Sequence, residues 1–149
     1  MRYFEVVSDA FRKNPEVEIK LPKRATKHSV AYDFYSPVNV TIQPGEKHLI
    51  WTDIKANMYY DNALIINVRS SMGKHPVMIS CTQGWIDSDY ANNPDNDGNI
   101  GFNLLNLGDT PYVIKEGDRI GQGMFVKYLI AKDDDADGTR QGGYGSSGK

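Results

Sequence analysis

Two aspartates, Asp87 and Asp89, stand two residues apart in "GWIDSDY" (84–90), with Tyr90 directly after them. A carboxylate beside a water molecule can take its proton during attack, a contribution of roughly 10²–10⁴-fold in rate. In an extended segment the pair shares one face, so it either meets in a site or splays at an Asp-rich turn. A second set, "VRSSMGK" (68–74), offers the Arg69 guanidinium fork, the Ser70 and Ser71 hydroxyls and the backbone donors of a tight turn. These suit phosphate oxygens, and they suit equally an exposed Arg at a strand end. Gln122 in "GDRIGQGMF" (117–125) lies among strand apolars, where its amide faces either an anion or solvent. Asp33 in "AYDFYSP" (31–37) sits between aromatic residues; it is expected to cap a turn, or to orient an Arg or a metal-bound water.

The tail "RQGGYGSSGK" (140–149) raises a separate question. Gly143, Gly148 and Lys149 have the spacing of a phosphate-binding P-loop. That motif works by leading from a strand into a helix whose N-terminus meets the phosphate. No helix and no Ser or Thr follow Lys149, so P-loop action is not expected. A solvated Gly/Ser tail is the plainest reading, but Arg140 and Tyr144 place a fixed cation and a flat ring within it.

These groups must be held by β structure. In "VNVTIQ" Val38, Val40 and Ile42 alternate with polar residues, and "PG" at 44–45 closes the run as a turn. Strands are likewise expected at 2–7, 48–54, 63–68, 77–81, 99–105, 112–115 and 123–130. Nowhere do apolar residues keep a helical period for long, which points to a sandwich, jelly roll or barrel. Acidic "KDDDADG" (132–138) reads as a solvated linker. The expected division is a β domain over 1–132 and a linker with arm over 133–149.

The 149 residues form one domain by length, with 40% hydrophobic and 24% charged residues, as in ordinary globular proteins. A net charge of −2 argues against general binding to nucleic acid or a membrane surface. One cysteine, Cys81, excludes a disulfide framework, and with three scattered histidines it makes no zinc site of usual spacing. No signal-peptide core or membrane-spanning segment is evident, so a cytoplasmic protein is expected.

In order, "LPKRATKHSVAYDFYSP", "VRSSMGK", "GWIDSDY", "GDRIGQ" and "RQGGYGSSGK" resemble the five signature motifs of the trimeric deoxyuridine triphosphatase (dUTPase) family. The resemblance runs from Leu21 to the last residue. It implies an all-β jelly-roll, or β-clip, subunit with an extended, flexible C-terminal arm, and a homotrimer with active sites shared between subunits. The implied reaction is hydrolysis of dUTP to dUMP and pyrophosphate, with Asp87 activating water for attack at the α-phosphorus. Arg69, Ser70, Ser71, Gln122 and Arg140 are then the phosphate-binding groups. Mg²⁺ is expected on the triphosphate, with Asp33 acting indirectly through its waters or by orienting an Arg. Tyr90 is expected to pack on the deoxyribose. Backbone around Trp85, Ile86, Ile100 and Gly101 is expected to read uracil. Tyr144 stacks on the base, and Gly145 and Ser146 belong to the closing arm.

The chain departs from the family pattern at four places. Cys81 stands where an Asn commonly contacts uracil, and a thiol is a poor hydrogen-bond partner. "ANNPDNDG" (91–98) carries an insertion after Tyr90, expected to reshape the mouth of the site or a subunit contact. Only Gln141 separates Arg140 from the glycine pair, one residue fewer than usual. Val68 and Ala31 replace a usual Pro and Gly. A dCTP deaminase of the same fold and a nucleotide-sensing regulator are the alternative functions. The deaminase lacks the Gly-rich arm, and the regulator has only the insertion in its favour.

Overall fold

A computed structural model describes residues 1–145. Among them are eleven strands, all paired antiparallel: β1 (Tyr3–Val6), β2 (Tyr32–Tyr35), β3 (Val40–Ile42), β4 (Lys47–Trp51), β5 (Ile54–Asn57), β6 (Asn62–Asn67), β7 (Val77–Ile79), β8 (Gly84–Asp87), β9 (Gly101–Asn106), β10 (Tyr112–Ile114) and β11 (Arg119–Lys127). Four-stranded β2-β11-β6-β8 and three-stranded β4-β9-β7 are the larger sheets; β1-β5 and β10-β3 are two-stranded. The only helical pieces among the described residues are short 3₁₀ turns at Asp9–Phe11 and Ser70–Lys74. The chain is all-β in a jelly-roll-like arrangement, and no described helix is long and apolar enough to cross a membrane.

Period-2 alternation fixes which faces meet. Phe102 and Leu104 of β9 point inward beside Phe34 of β2 and Leu64 of β6, all fully buried. The Phe34 and Phe102 rings lie 5.2 Å apart. Two glycines of β11 admit this packing: a Cβ at Gly121 would come within 2.1 Å of the Phe102 ring, and one at Gly123 within 3.0 Å of Phe34. The glycines flanking Gln122 thus let β11 run directly under the aromatic core. In register, Gln122 lies between Asp33 of β2 and Asn67 of β6.

The expected strand over 48–54 is two strands, β4 and β5, broken at Thr52–Asp53. Asp53 has φ 56 and is fully buried. Its carboxylate accepts from Lys13 N at 2.8 Å, Asn14 N at 2.7 Å and Asn99 Nδ2 at 2.9 Å. Arg12 stands 3.8 Å away. An aspartate tolerates the left-handed conformation better than most side chains, and these donors hold a charge that burial alone would disfavour. The terminal strand runs over 119–127 rather than 123–130, so "GDRIGQ" lies largely inside it. "AYDFYSP" carries the strand β2 rather than the turn-capping alternative.

Candidate active site

Asp87 ends β8, an edge strand paired on one side with β6. A turn follows, with Tyr90 N donating to Asp87 O at 3.1 Å. Asp87 and Asp89 do not splay: both converge on Arg140, whose Nη2 donates to Asp87 Oδ2 and whose Nε donates to Asp89 Oδ1 at 2.7 Å. The Arg140 guanidinium also stands over the Tyr90 ring, 5.7 Å from its centre. Burial works against the Arg140 cation, but the Asp89 bond and both carboxylate charges outweigh it and raise its pKa further. The fixed cation in the tail is therefore set against the carboxylate that the sequence marks as a base.

Asp87, Trp85, Ile86, Tyr90, Gly101, Arg140, Tyr144 and Gly145 line one cavity of about 320 Å³, with Cys81, Gln83 and Asn103 at its wall. Tyr90 is buried, and its hydroxyl donates to Asn99 O at 2.9 Å while accepting from Asn96 Nδ2 at 2.8 Å. Burial pushes the Tyr90 phenol upward, so it stays neutral. The Tyr144 ring meets Trp51 edge-on at 5.7 Å. Cys81 is exposed in the tight β7–β8 loop, its thiol donating to Gln83 O at 3.4 Å. Next to it Thr82 has φ 70, a strained conformation for a β-branched residue. Ile100 does not join the cavity. Its N–H donates to Ile54 O, and its carbonyl accepts from Thr52 N and Thr52 Oγ1, so its backbone is committed to the fold. Ser146 lies outside the described residues.

The phosphate candidates form a second group. Arg69 enters the Ser70–Lys74 turn, with Ser70 exposed beside it. Arg69 Nε donates to Asp33 Oδ1 at 2.7 Å and Arg69 Nη1 to Ser71 Oγ at 3.1 Å. Arg119 Nη1 reaches Asp33 Oδ2 at 3.4 Å. Both Asp33 oxygens are thus engaged by guanidinium groups, a role in which Asp33 orients Arg69. Arg69, Ser71 and Arg119 line a cleft of about 260 Å³, and no residue lines both this cleft and the Asp87 cavity. Gln122 Nε2 donates to Val68 O at 3.4 Å from the sheet between Asp33 and Asn67. Among the described residues no group of three His, Cys, Asp or Glu could hold a metal ion.

Sequence reasoning gave no role to Arg119 or Trp51, and its reading of the insertion was limited to the mouth of the site or a subunit contact. Arg119 lay within a quoted motif, and its partner was visible only once β2 and β11 paired. The insertion is an ordered polar loop. Asp97, almost fully buried, accepts from Ser8 N at 2.7 Å and from Lys55 Nζ at 3.0 Å. Burial alone would raise the Asp97 carboxyl, but the Ser8 bond and the Lys55 ammonium hold it below its ordinary value of 3.8. Its contribution to stability is therefore complete above that value and is lost as pH falls past it. Asp97→Asn should lower stability at neutral pH by about 3 kcal/mol, the low end for a buried pair losing one partner. Glu5 at 3.5 Å remains for Lys55. The variant should also flatten part of the fall in melting temperature that the wild type shows below about pH 4. Equal melting curves for the two proteins from neutral to acid pH would make the pair idle.

An all-β chain with a carboxylate-edged cavity, a separate arginine-serine cleft and arm residues at the cavity defines the class: a jelly-roll-like protein with polar clefts at its surface. A family model described as dUTPase matches residues 17–148. The chain is 39% identical over 151 aligned residues to a deoxyuridine 5'-triphosphate nucleotidohydrolase of Lactococcus lactis subsp. lactis (strain IL1403), covering 99% of this chain and 98% of that protein. The crystal structure of a dUTPase from Streptococcus mutans superposes with a TM-score of 0.75 at 33% identity, covering 87% of this chain and 98% of that one. A mutant dUTPase from phage phi11 of S. aureus, described with a structural Mg(II) ion, shares the fold at a TM-score of 0.70 and 21% identity, over 93% and 97% of the two chains. The chain belongs to the dUTPase family.

Proposed function

We propose that this protein hydrolyses dUTP to dUMP and pyrophosphate, with Asp87 as the base that activates water. The observation that carries the reading is Asp87 at the edge of a cavity, joined there by Tyr90 and by Arg140 of the arm. Water attacks the α-phosphorus while Asp87 takes its proton. The new P–O bond forms as the bond to the bridging oxygen of the β-phosphate breaks, and pyrophosphate leaves. Arg140 moves from the carboxylates onto phosphate as the arm closes, freeing the base for water.

Edge strand β8 supports the base-reading role, because its outer edge pairs with no strand among the described residues, and an unpaired edge offers backbone donors and acceptors. Gly101 brings backbone close from the opposite side. The buried Tyr90 ring gives the deoxyribose a flat wall with no room for a 2′-hydroxyl. Tyr144 and Gly145, at the cavity already, act as the lid, with Ser146 continuing it.

Arg69, Ser70, Ser71 and Gln122 bind the triphosphate. The cleft lined by Arg69 and Ser71 shares no lining residue with the Asp87 cavity of the same chain, which supports a homotrimer whose sites join the cleft of one subunit to the cavity of another. Mg²⁺ enters on the triphosphate, held by phosphate oxygens and waters, since the described residues form no cage. Asp33, bonded to Arg69 and Arg119, orients Arg69, and its remaining lone pairs can accept from a metal-bound water. An exposed, unpaired Cys81 suits a reducing, cytoplasmic setting.

Incubation with dUTP, dCTP, TTP and UTP should yield pyrophosphate from dUTP alone. Ammonia release from dCTP would transfer the protein to the deaminases, and binding without turnover would make it a nucleotide sensor.

A further inference from the structure

We propose that the 91–98 loop is a docking cradle for the C-terminal arm, with Asp95 as the positioning residue that holds the arm over the cavity. The inference rests on the lid role given to the arm above. Gly143 is buried, and its N–H donates to Asp95 Oδ2 at 3.1 Å. A buried amide requires a partner, and a carboxylate is among the strongest acceptors a side chain supplies.

The fit is steric as well as polar. A Cβ at Gly143 would lie 2.7 Å from the Asn96 side-chain amide and 2.8 Å from the Asp95 carboxylate. Only glycine comes this close to the loop without displacing it.

The loop is braced from within. Asn93 Oδ1 accepts from Asp95 N at 3.0 Å and Asn96 N at 3.1 Å, which fixes the backbone carrying both residues. Asn93 Nδ2 donates to Tyr90 O and to Asn96 Oδ1, each at 2.7 Å. Asn96 Nδ2 then donates to the Tyr90 hydroxyl. One rigid loop therefore touches the arm at Gly143 and the Tyr90 ring beneath Arg140. Setting Gly143 sets its neighbours Tyr144 and Gly145, both of which line the cavity. The proposed chemistry does not need this loop, and docking the arm accounts for its asparagine-rich build.

The test is Asp95→Ala in the full-length enzyme. It should lower kcat/KM for dUTP by about ten-fold, mostly through KM, for loss of a charge-assisted hydrogen bond. Tryptic cleavage after Arg140, measured with a non-hydrolysable dUTP analogue bound, should quicken by a similar factor while the melting temperature holds. Asp95→Asn keeps an acceptor and should recover most of both. Gly143→Ala should reproduce the defect without touching the carboxylate, and it decides the matter should Asp95→Ala melt early. Wild-type KM and cleavage rate in Asp95→Ala and Gly143→Ala would overturn the cradle. An enzyme ending at Thr139 separates the two readings: if it is inactive while these variants behave as wild type, the lid stands and the cradle falls. If it keeps full activity, the lid reading itself has failed.

Discussion

Asp87→Asn should cut dUTP turnover by about 10²-fold or more while leaving the affinity for a non-hydrolysable dUTP analogue within a few-fold of wild type. Asn keeps the shape of the side chain and one oxygen facing Arg140, but it takes no proton from water. Asp89→Asn is the matched control. Asp89 binds the same guanidinium at 2.7 Å yet does not line the cavity. Since Arg140 leaves Asp89 as the arm closes, loss of the Asp89 carboxylate should change KM only modestly, with kcat reduced far less than in Asp87→Asn. Single-turnover rates and analogue binding measured on both variants separate base from bystander. Near-normal kcat in Asp87→Asn, or an equal loss in Asp89→Asn, would remove Asp87 from its assigned role.

Removing residues 140–149 should abolish most activity, by about 10²-fold or more, with little change in melting temperature. The last strand ends at Lys127. Beyond it, Tyr128 N bonds Asp61 O and the Tyr128 hydroxyl bonds Tyr60 O, and 129–139 run exposed over the surface. Little core is at stake. What the truncation takes is Arg140, bonded to Asp87 and Asp89, and the cavity-lining Tyr144 and Gly145, the groups proposed above to close over the substrate. Steady-state assays beside thermal melts check both halves of the expectation. Full activity, or a collapse in stability, would each contradict a closing arm.

Much of this was legible in the chain. Strands with clean alternation, such as "VNVTIQ" and the segment around Phe102 and Leu104, report their buried faces directly, because a pleated backbone sends side chains to opposite sides. The break at Asp53 was not legible, since a left-handed aspartate is held there by amides from residues 13, 14 and 99, far away in sequence. Gly121 and Gly123 gave no hint of the rings they admit. The site residues were marked by type and by motif, and Asp87, Tyr90, Arg140 and Tyr144 do share one cavity. Which of Asp33's possible roles applied depended on the pairing of β2 with β11, which brings Arg119 alongside it. Ile100 was a base-reading position by the family resemblance; in the folded chain its backbone groups bond Thr52 and Ile54, and it does not line the cavity.

Asp53 has a bearing on the start of the chain, which lies ahead of the family match at 17–148. The backbone amides of Lys13 and Asn14 donate to the buried Asp53 carboxylate, and that of Ser8 donates to Asp97. The opening residues are thus tied into the fold through two buried carboxylates. Removing residues 1–14 should lower the melting temperature while leaving every residue of the Asp87 cavity in place.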